Sequence, residues 1–101
     1  MIPLPSLLYE VKQPKEWLET SGGICVRMLE LEAVGNMVPQ HSHEHGHTTL
    51  IARGSARLWI DGKYEGDFNA PCLKYVEPNR THTYQALKDH TVLACISKQG
   101  E

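Results

Sequence analysis

The 101 residues suffice for one small domain with one core. The chain is 41% apolar and 22% charged, as in an ordinary globular protein. Its net charge of −2 offers no basic field for nucleic acid or an anionic membrane. No apolar run approaches a membrane span, and the opening Ile2–Leu8 stretch is broken by Pro3 and Pro5 with no basic residue before it, unlike a signal peptide.

In chain order, Pro14 followed by Glu16, Trp17, Leu18 and Glu19 predicts a short helical turn, which Gly22 and Gly23 would end. From Ile24 onward the sequence reads as short strands between turn signals. Ile24 to Leu31 is the first, and Gly35-Asn36 turns the chain. Met37 to His43 follows, broken by Gly46. Thr48 to Arg53 is closed by Gly54, and Ala56 to Ile60 runs into Asp61-Gly62, a two-residue hairpin signal. Lys63 to Phe68 returns, residues 69–71 turn, and Cys72 to Val76 continues. Pro78-Asn79 makes a tight turn before Thr81 to Leu87, and Val92 to Ser97 is last. About eight strands with turns at this spacing mean an all-β sandwich or closed barrel, including the jelly roll. Residues 1–23 form an N-terminal arm and residues 24–101 the barrel domain.

Cys25, Cys72 and Cys95 are an odd count without a close pair, which argues against a disulfide framework. They read as small buried apolar residues in a reducing, cytoplasmic setting.

Six histidines are the outlier, and His41, His43, His45 and His47 fall close together. On a strand, alternate side chains share a face roughly 7 Å apart, so the imidazoles of His41 and His43 can tilt onto one ion. On an unbroken strand His47 would lie roughly 20 Å from His41, beyond sharing a metal. A bend at Gly46, which tolerates conformations closed to other residues, would bring it back.

The spacing carries a resemblance. The run Gly35, five residues, His41, Ser42, His43, three residues, His47, six residues, Gly54 is similar to the first motif of the cupins, G-x5-H-x-H-x3-E-x6-G, with histidine in place of glutamate. The stretch Glu77-Pro78-Asn79-Arg80-Thr81-His82 resembles the degenerate end of the second motif, P-x-G-x2-H. Asn79 takes the glycine position, where asparagine is the best substitute for a left-handed turn. The resemblance covers about residues 24 to 97. It implies a jelly-roll β-barrel whose interior holds a divalent metal on His41, His43, His47 and His82, as in small cupins with a four-histidine site. It gives His45 no role, and His45 and His90 read as solvated loop residues.

Imidazole ligands suit zinc, copper, iron and nickel, and four-histidine cupins that resemble this chain also hold manganese. Four neutral imidazoles leave the charge of the ion uncompensated, so such a site attracts anionic oxygen ligands. By alternation Tyr84 shares the face of His82, and Met37 and Pro39 face inward beside His41. Met37 and Tyr84 are therefore candidates to line a pocket for a small, partly apolar molecule. Arg27, Arg53, Arg57 and Arg80 read as surface charges, any of which could meet a carboxylate substrate.

Three functions are compatible with these features. One is a metal-dependent enzyme, a dioxygenase or isomerase of a small oxygenated substrate. Another is a non-catalytic cupin that binds or senses a small anion through its metal. The third is a histidine-rich metal-binding tract without a pocket. The exposed sheet of so short a barrel calls for cover, and cupins, which this chain resembles, commonly pair as homodimers.

Overall fold

The computed structural model describes residues 2–4, 14–38 and 45–98. These hold eight strands: β1 (Lys15–Ser21), β2 (Ile24–Leu31), β3 (His47–Arg53), β4 (Ser55–Ile60), β5 (Lys63–Asn69), β6 (Cys72–Val76), β7 (His82–Ala86) and β8 (Thr91–Lys98). They form a five-stranded antiparallel sheet in the order β1-β2-β8-β3-β6 and a three-stranded sheet in the order β5-β4-β7. The segment 35–38 adds a short lane beside β7, through a bridge between Met37 and Gln85. Gly35 N–H donates to the Ala86 carbonyl and Val38 N–H to the Tyr84 carbonyl, both at 2.9 Å. Among the described residues no helix is long and apolar enough to cross a membrane.

The two sheets face each other as a jelly roll. Among the described residues no backbone ladder joins them, so the expected barrel is an open sandwich. The core lies between the inner faces and holds Leu29, Leu31, Val38, Ile51, Ala56, Leu58, Tyr84, Ala86 and Leu93. These positions alternate along their strands, as the two-residue period of a half-buried sheet requires.

The helical turn expected near residues 14–19 is instead β1, hydrogen-bonded along its whole length to β2. Gly22 and Gly23 both have positive φ, at 58° and 79°, and form a two-residue hairpin turn. That turn outweighs the helix-start signal of Pro14. Cross-strand ion pairs support the hairpin: Lys15 to Glu32 at 2.9 Å and Arg27 to Glu16 at 2.8 Å. The stretch read as an N-terminal arm thus contributes an edge strand over Lys15–Ser21. Its first residues reach the other sheet, where the Trp59 indole N–H donates to the Ile2 carbonyl at 3.1 Å.

Candidate metal centre

His47 is the first residue of β3 and His82 the first of β7. The strands belong to different sheets, and the histidines meet between them. Both are buried, and their ring centroids lie 4.8 Å apart with the planes tilted by 48°. With metal–nitrogen bonds of about 2.1 Å, two imidazoles at adjacent positions of one ion have ring centres roughly 4.6–5.3 Å apart. The observed separation falls in that range, so this pair fits a shared metal. His41 and His43 lie outside the described residues. Among the described residues no group of three or more potential ligands occurs together.

Several groups fix the orientation of His82. Its Nδ1 lies 3.3 Å from the Arg80 carbonyl oxygen. A carbonyl can only accept, so Nδ1 carries the proton in that contact and Nε2, which is buried, presents its lone pair. Such a contact orients a ligating imidazole. The Arg80–Thr81 backbone is itself tied to the hairpin tip between β4 and β5. Asp61 Oδ1 accepts from Thr81 N–H at 3.0 Å, and Arg80 Nη1 donates to Asp61 Oδ2 at 2.6 Å. The Asp61 N–H donates to the Thr81 carbonyl at 2.7 Å. The guanidinium, then the backbone donor, hold the Asp61 carboxyl below its usual range. Sequence reasoning misses Asp61 because a hairpin Asp-Gly already explains its residue type.

Tyr84 lies one inward position beyond His82, its ring edge-on to the imidazole at 6.4 Å between centroids. Its hydroxyl is buried and makes no hydrogen bond of normal geometry to a described residue. Burial pushes the phenol up to about 12, with the Thr49 hydroxyl pulling the other way. Tyr84 is thus a neutral donor at neutral pH. Thr49 stands inward on β3 opposite Cys95, toward whose thiol its hydroxyl points at 3.9 Å. Burial pushes that thiol up too, so Cys95 is a neutral polar-tipped filler rather than a reactive thiolate. All three cysteines are free and partly buried.

Met37 is buried, at 5% exposure, but on a different face from that of Tyr84. Residues opposite each other on a ladder share a face, and Met37 pairs with Gln85, whose side chain lies on the other face of β7 from Tyr84. Val38 joins the core cluster with Tyr84 instead. The expected alternation is one residue out of phase because sequence alone does not fix which residue pairs with β7. Pro39 lies outside the described residues. His45 and His90 are exposed, as expected of loop residues. Three of the four arginines are engaged on the surface: Arg27 with Glu16, Arg57 with Asp67 at 2.7 Å, and Arg80 with Asp61. Arg53 is exposed.

The residues that the bend at Gly46 would bring back to His47 lie outside the described residues, and Gly46 itself is closely packed. It is not among the glycines of positive φ. A Cβ there would come within 1.9 Å of the Tyr75 hydroxyl oxygen, so the ring lying over it favours glycine.

No family model matches the sequence, and no curated protein matches it. Solved structures do. A cupin-2 domain protein from Rhodospirillum rubrum is similar with a TM-score of 0.77 and 13% identity, over 99% of this chain and 69% of that one. A variant of the oxalate decarboxylase of Bacillus subtilis is similar with a TM-score of 0.74 and 20% identity, over 88% of this chain but 26% of that one. A chain of the Rhodobacter sphaeroides SigE complex with the anti-sigma ChrR is similar with a TM-score of 0.70 and 20% identity, over 85% of this chain and 44% of that one. Likenesses at these identities speak to the fold, and with the two-sheet topology they establish that this chain has the cupin jelly-roll fold.

Proposed function

We propose that this chain is a small metal-dependent cupin in which His41, His43, His47 and His82 hold a divalent transition metal ion: manganese, iron, nickel, zinc or copper. The observation that carries the reading is the 4.8 Å approach of the His47 and His82 rings from two different sheets. When bound, the ion supplies a Lewis-acid centre with positions open to oxygen donors.

The chain's own residues define what else reaches that centre. His82 is oriented through Nδ1 by the Arg80 carbonyl. The Tyr84 phenol stays protonated and offers a hydrogen bond to an oxygen of a ligand beside the metal. Leu58 and Val38 give the surroundings an apolar character. This suits a small oxygenated or anionic molecule, and the activity we assign is that of a dioxygenase or isomerase. The free cysteines accord with a cytoplasmic setting.

The test is metal affinity in His82→Ala. A folded four-histidine site loses more than the roughly 10–100-fold that removal of an outer-shell partner costs. Unchanged affinity would mean that a histidine-rich tract binds the metal without the fold. Oxygen consumption by iron- or manganese-loaded protein over a panel of diketones, thiols and sugar acids then separates an enzyme from a binding module.

A further inference from the structure

The inner face of the five-stranded sheet carries an ion pair at its margin. Arg27 alternates with the core residues Leu29 and Leu31 along β2, so its side chain stands on the face that looks toward the other sheet. Glu16 pairs with Leu29 across β1 and β2 and shares that face, and its carboxylate lies 2.8 Å from Arg27 Nε. Register connects this pair to the candidate metal centre. Thr49, Cys95 and Arg27 stand side by side on β3, β8 and β2, one inward position along from His47. Tyr84 reaches the same row from the opposite sheet: besides burial, the Thr49 hydroxyl and the Cys95 thiol act on its phenol. Burial raises the Cys95 thiol in turn, and the Arg27 guanidinium is near enough to pull it back down.

The surroundings of the pair favour an anion. Among the described residues, the inward positions of β2, β3, β7 and β8 bring imidazole, hydroxyl, thiol and apolar groups to the interior, with Arg27, but no carboxylate. Glu16 supplies one from the edge strand. Other cations are committed elsewhere. Lys74 continues the row beyond Thr49, but its ammonium lies over the Phe68 ring, 4.2 Å from the centroid. Arg57 alternates with the core residues Ala56 and Leu58 and so faces outward, and Arg80 is held by Asp61. The Arg27 side chain is 52% exposed, so a solute can reach it without disturbing the core. The Tyr84 hydroxyl is buried in want of a well-aligned partner, which a ligand oxygen would supply. Two strand spacings and one two-residue step separate the Arg27 and His47 backbones, roughly 12 Å. With side chains reaching in from both ends, a short molecule spans the gap. We infer, resting on the metal site proposed above, that Arg27 binds the carboxylate of a small acid whose other oxygen function meets the metal ion, and that Glu16 takes that carboxylate's place and must yield to it. A guanidinium suits the task because its planar fork matches a carboxylate with two parallel hydrogen bonds. The Tyr84 hydroxyl donates to the same molecule between its ends.

The experiment is calorimetric titration of the manganese-loaded full chain with malonate, succinate and glutarate, for wild type, Arg27→Gln, Arg27→Lys, Glu16→Gln and Arg53→Gln. Manganese affinity is measured in parallel and reports the metal site by itself. Wild type is expected to bind at least one of the three acids. Arg27→Gln weakens that binding by roughly 10–100-fold, the worth of a charge-assisted contact, and Arg27→Lys recovers part of it. Glu16→Gln strengthens it by up to about fivefold, because an exposed ion pair no longer competes. Arg53→Gln, which removes an exposed cation outside this row, binds the acid as wild type does. Normal manganese binding with no affinity for any of the acids would overturn the inference and leave the metal site standing. So would an Arg27→Gln protein that binds the acid as wild type does, or an equal loss in Arg53→Gln, which would mark a general effect of charge. Glu16→Gln binding no tighter than wild type would refute the part given to Glu16. A wild type that does not bind manganese would overturn the metal site and the inference together.

Discussion

Gly54→Ala should be among the most damaging single-methyl changes in this protein, whereas Gly46→Ala should be mild. Gly54 makes the corner between β3 and β4 with φ at 79°, a conformation that costs a residue with a Cβ about 1–2 kcal/mol. An added Cβ would lie 2.5 Å from Thr91 Oγ1, 3.1 Å from its Cα and 3.2 Å from its Cβ. Thr91 is fully buried and cannot swing clear. Its hydroxyl donates to the Lys88 carbonyl at 2.8 Å and accepts from Ser55 N–H at 3.4 Å. Displacing it leaves buried groups without partners at about 1–3 kcal/mol. After the small gain from a stiffer unfolded chain, the net loss is about 3 kcal/mol. For a domain of this size that is a fall of roughly 12–24 °C in Tm. At Gly46 the obstacle is the tip of Tyr75, which is largely exposed and can rotate away. The cost there is about 1 kcal/mol. Thermal and urea unfolding of the two variants, followed by circular dichroism, measures the difference. Equal losses, or a Gly54→Ala protein within about 1 kcal/mol of wild type, would refute the corner assignment.

Two further substitutions probe the surroundings of His82. Tyr84 holds its proton more tightly folded than unfolded, so its contribution to stability is complete below about 10 and declines as pH rises toward about 12. Tyr84→Phe should remove that alkaline decline and the last tyrosinate step in a spectrophotometric titration, while changing stability at neutral pH by less than about 1 kcal/mol. Asp61 has the opposite sign. Its folded carboxyl is held low by Arg80 and the Thr81 N–H, so its contribution is present above the unfolded value and lost as pH falls through the folded one. Asp61→Asn should flatten that acid limb in a series of unfolding midpoints and weaken metal binding less than His82→Ala does. An unchanged acid limb would place Asp61 outside the support of the site.

Strands are legible where a two-residue alternation meets a strong turn. β2 and β6 begin and end at the residues read from sequence, and the Asp61-Gly62 hairpin has both residues at positive φ. What fails depends on partners. Pro14 looks like a helix start for as long as Gly22-Gly23 is weighed as a stop rather than as a hairpin. Met37 is buried but shares the face of Gln85 rather than that of Tyr84, because parity needs a register, and register comes from pairing on β7. The row of Thr49, Cys95 and Arg27 is invisible for the same reason: its three members come from three strands, each ordinary alone. His82 is reachable only through the second motif, since neither its neighbours nor its spacing from His47 mark it as a partner.

The first motif works chiefly as a statement about corners. Gly35 and Gly54, its terminal glycines, have φ of 91° and 79°. The first turns the chain from β2 toward the lane beside β7, and the second turns it from β3 into β4. Of the residues between them, 36–38 lie beside β7 in the three-stranded sheet and β3 lies in the five-stranded sheet. Asn79 does the same work in the second motif, at φ 61° just ahead of β7. It tolerates the left-handed region where most residues would not. Once these corners are set, His47 and His82 fall at the starts of strands in opposing sheets and their rings meet. The spacing therefore fixes where two side chains converge, and the residue types there fix the chemistry. A glutamate at position 47 would keep the corners and bring a charge to the interior. In the metal site proposed above, the histidine would keep the corners and leave the charge of the ion to be balanced by whatever molecule enters.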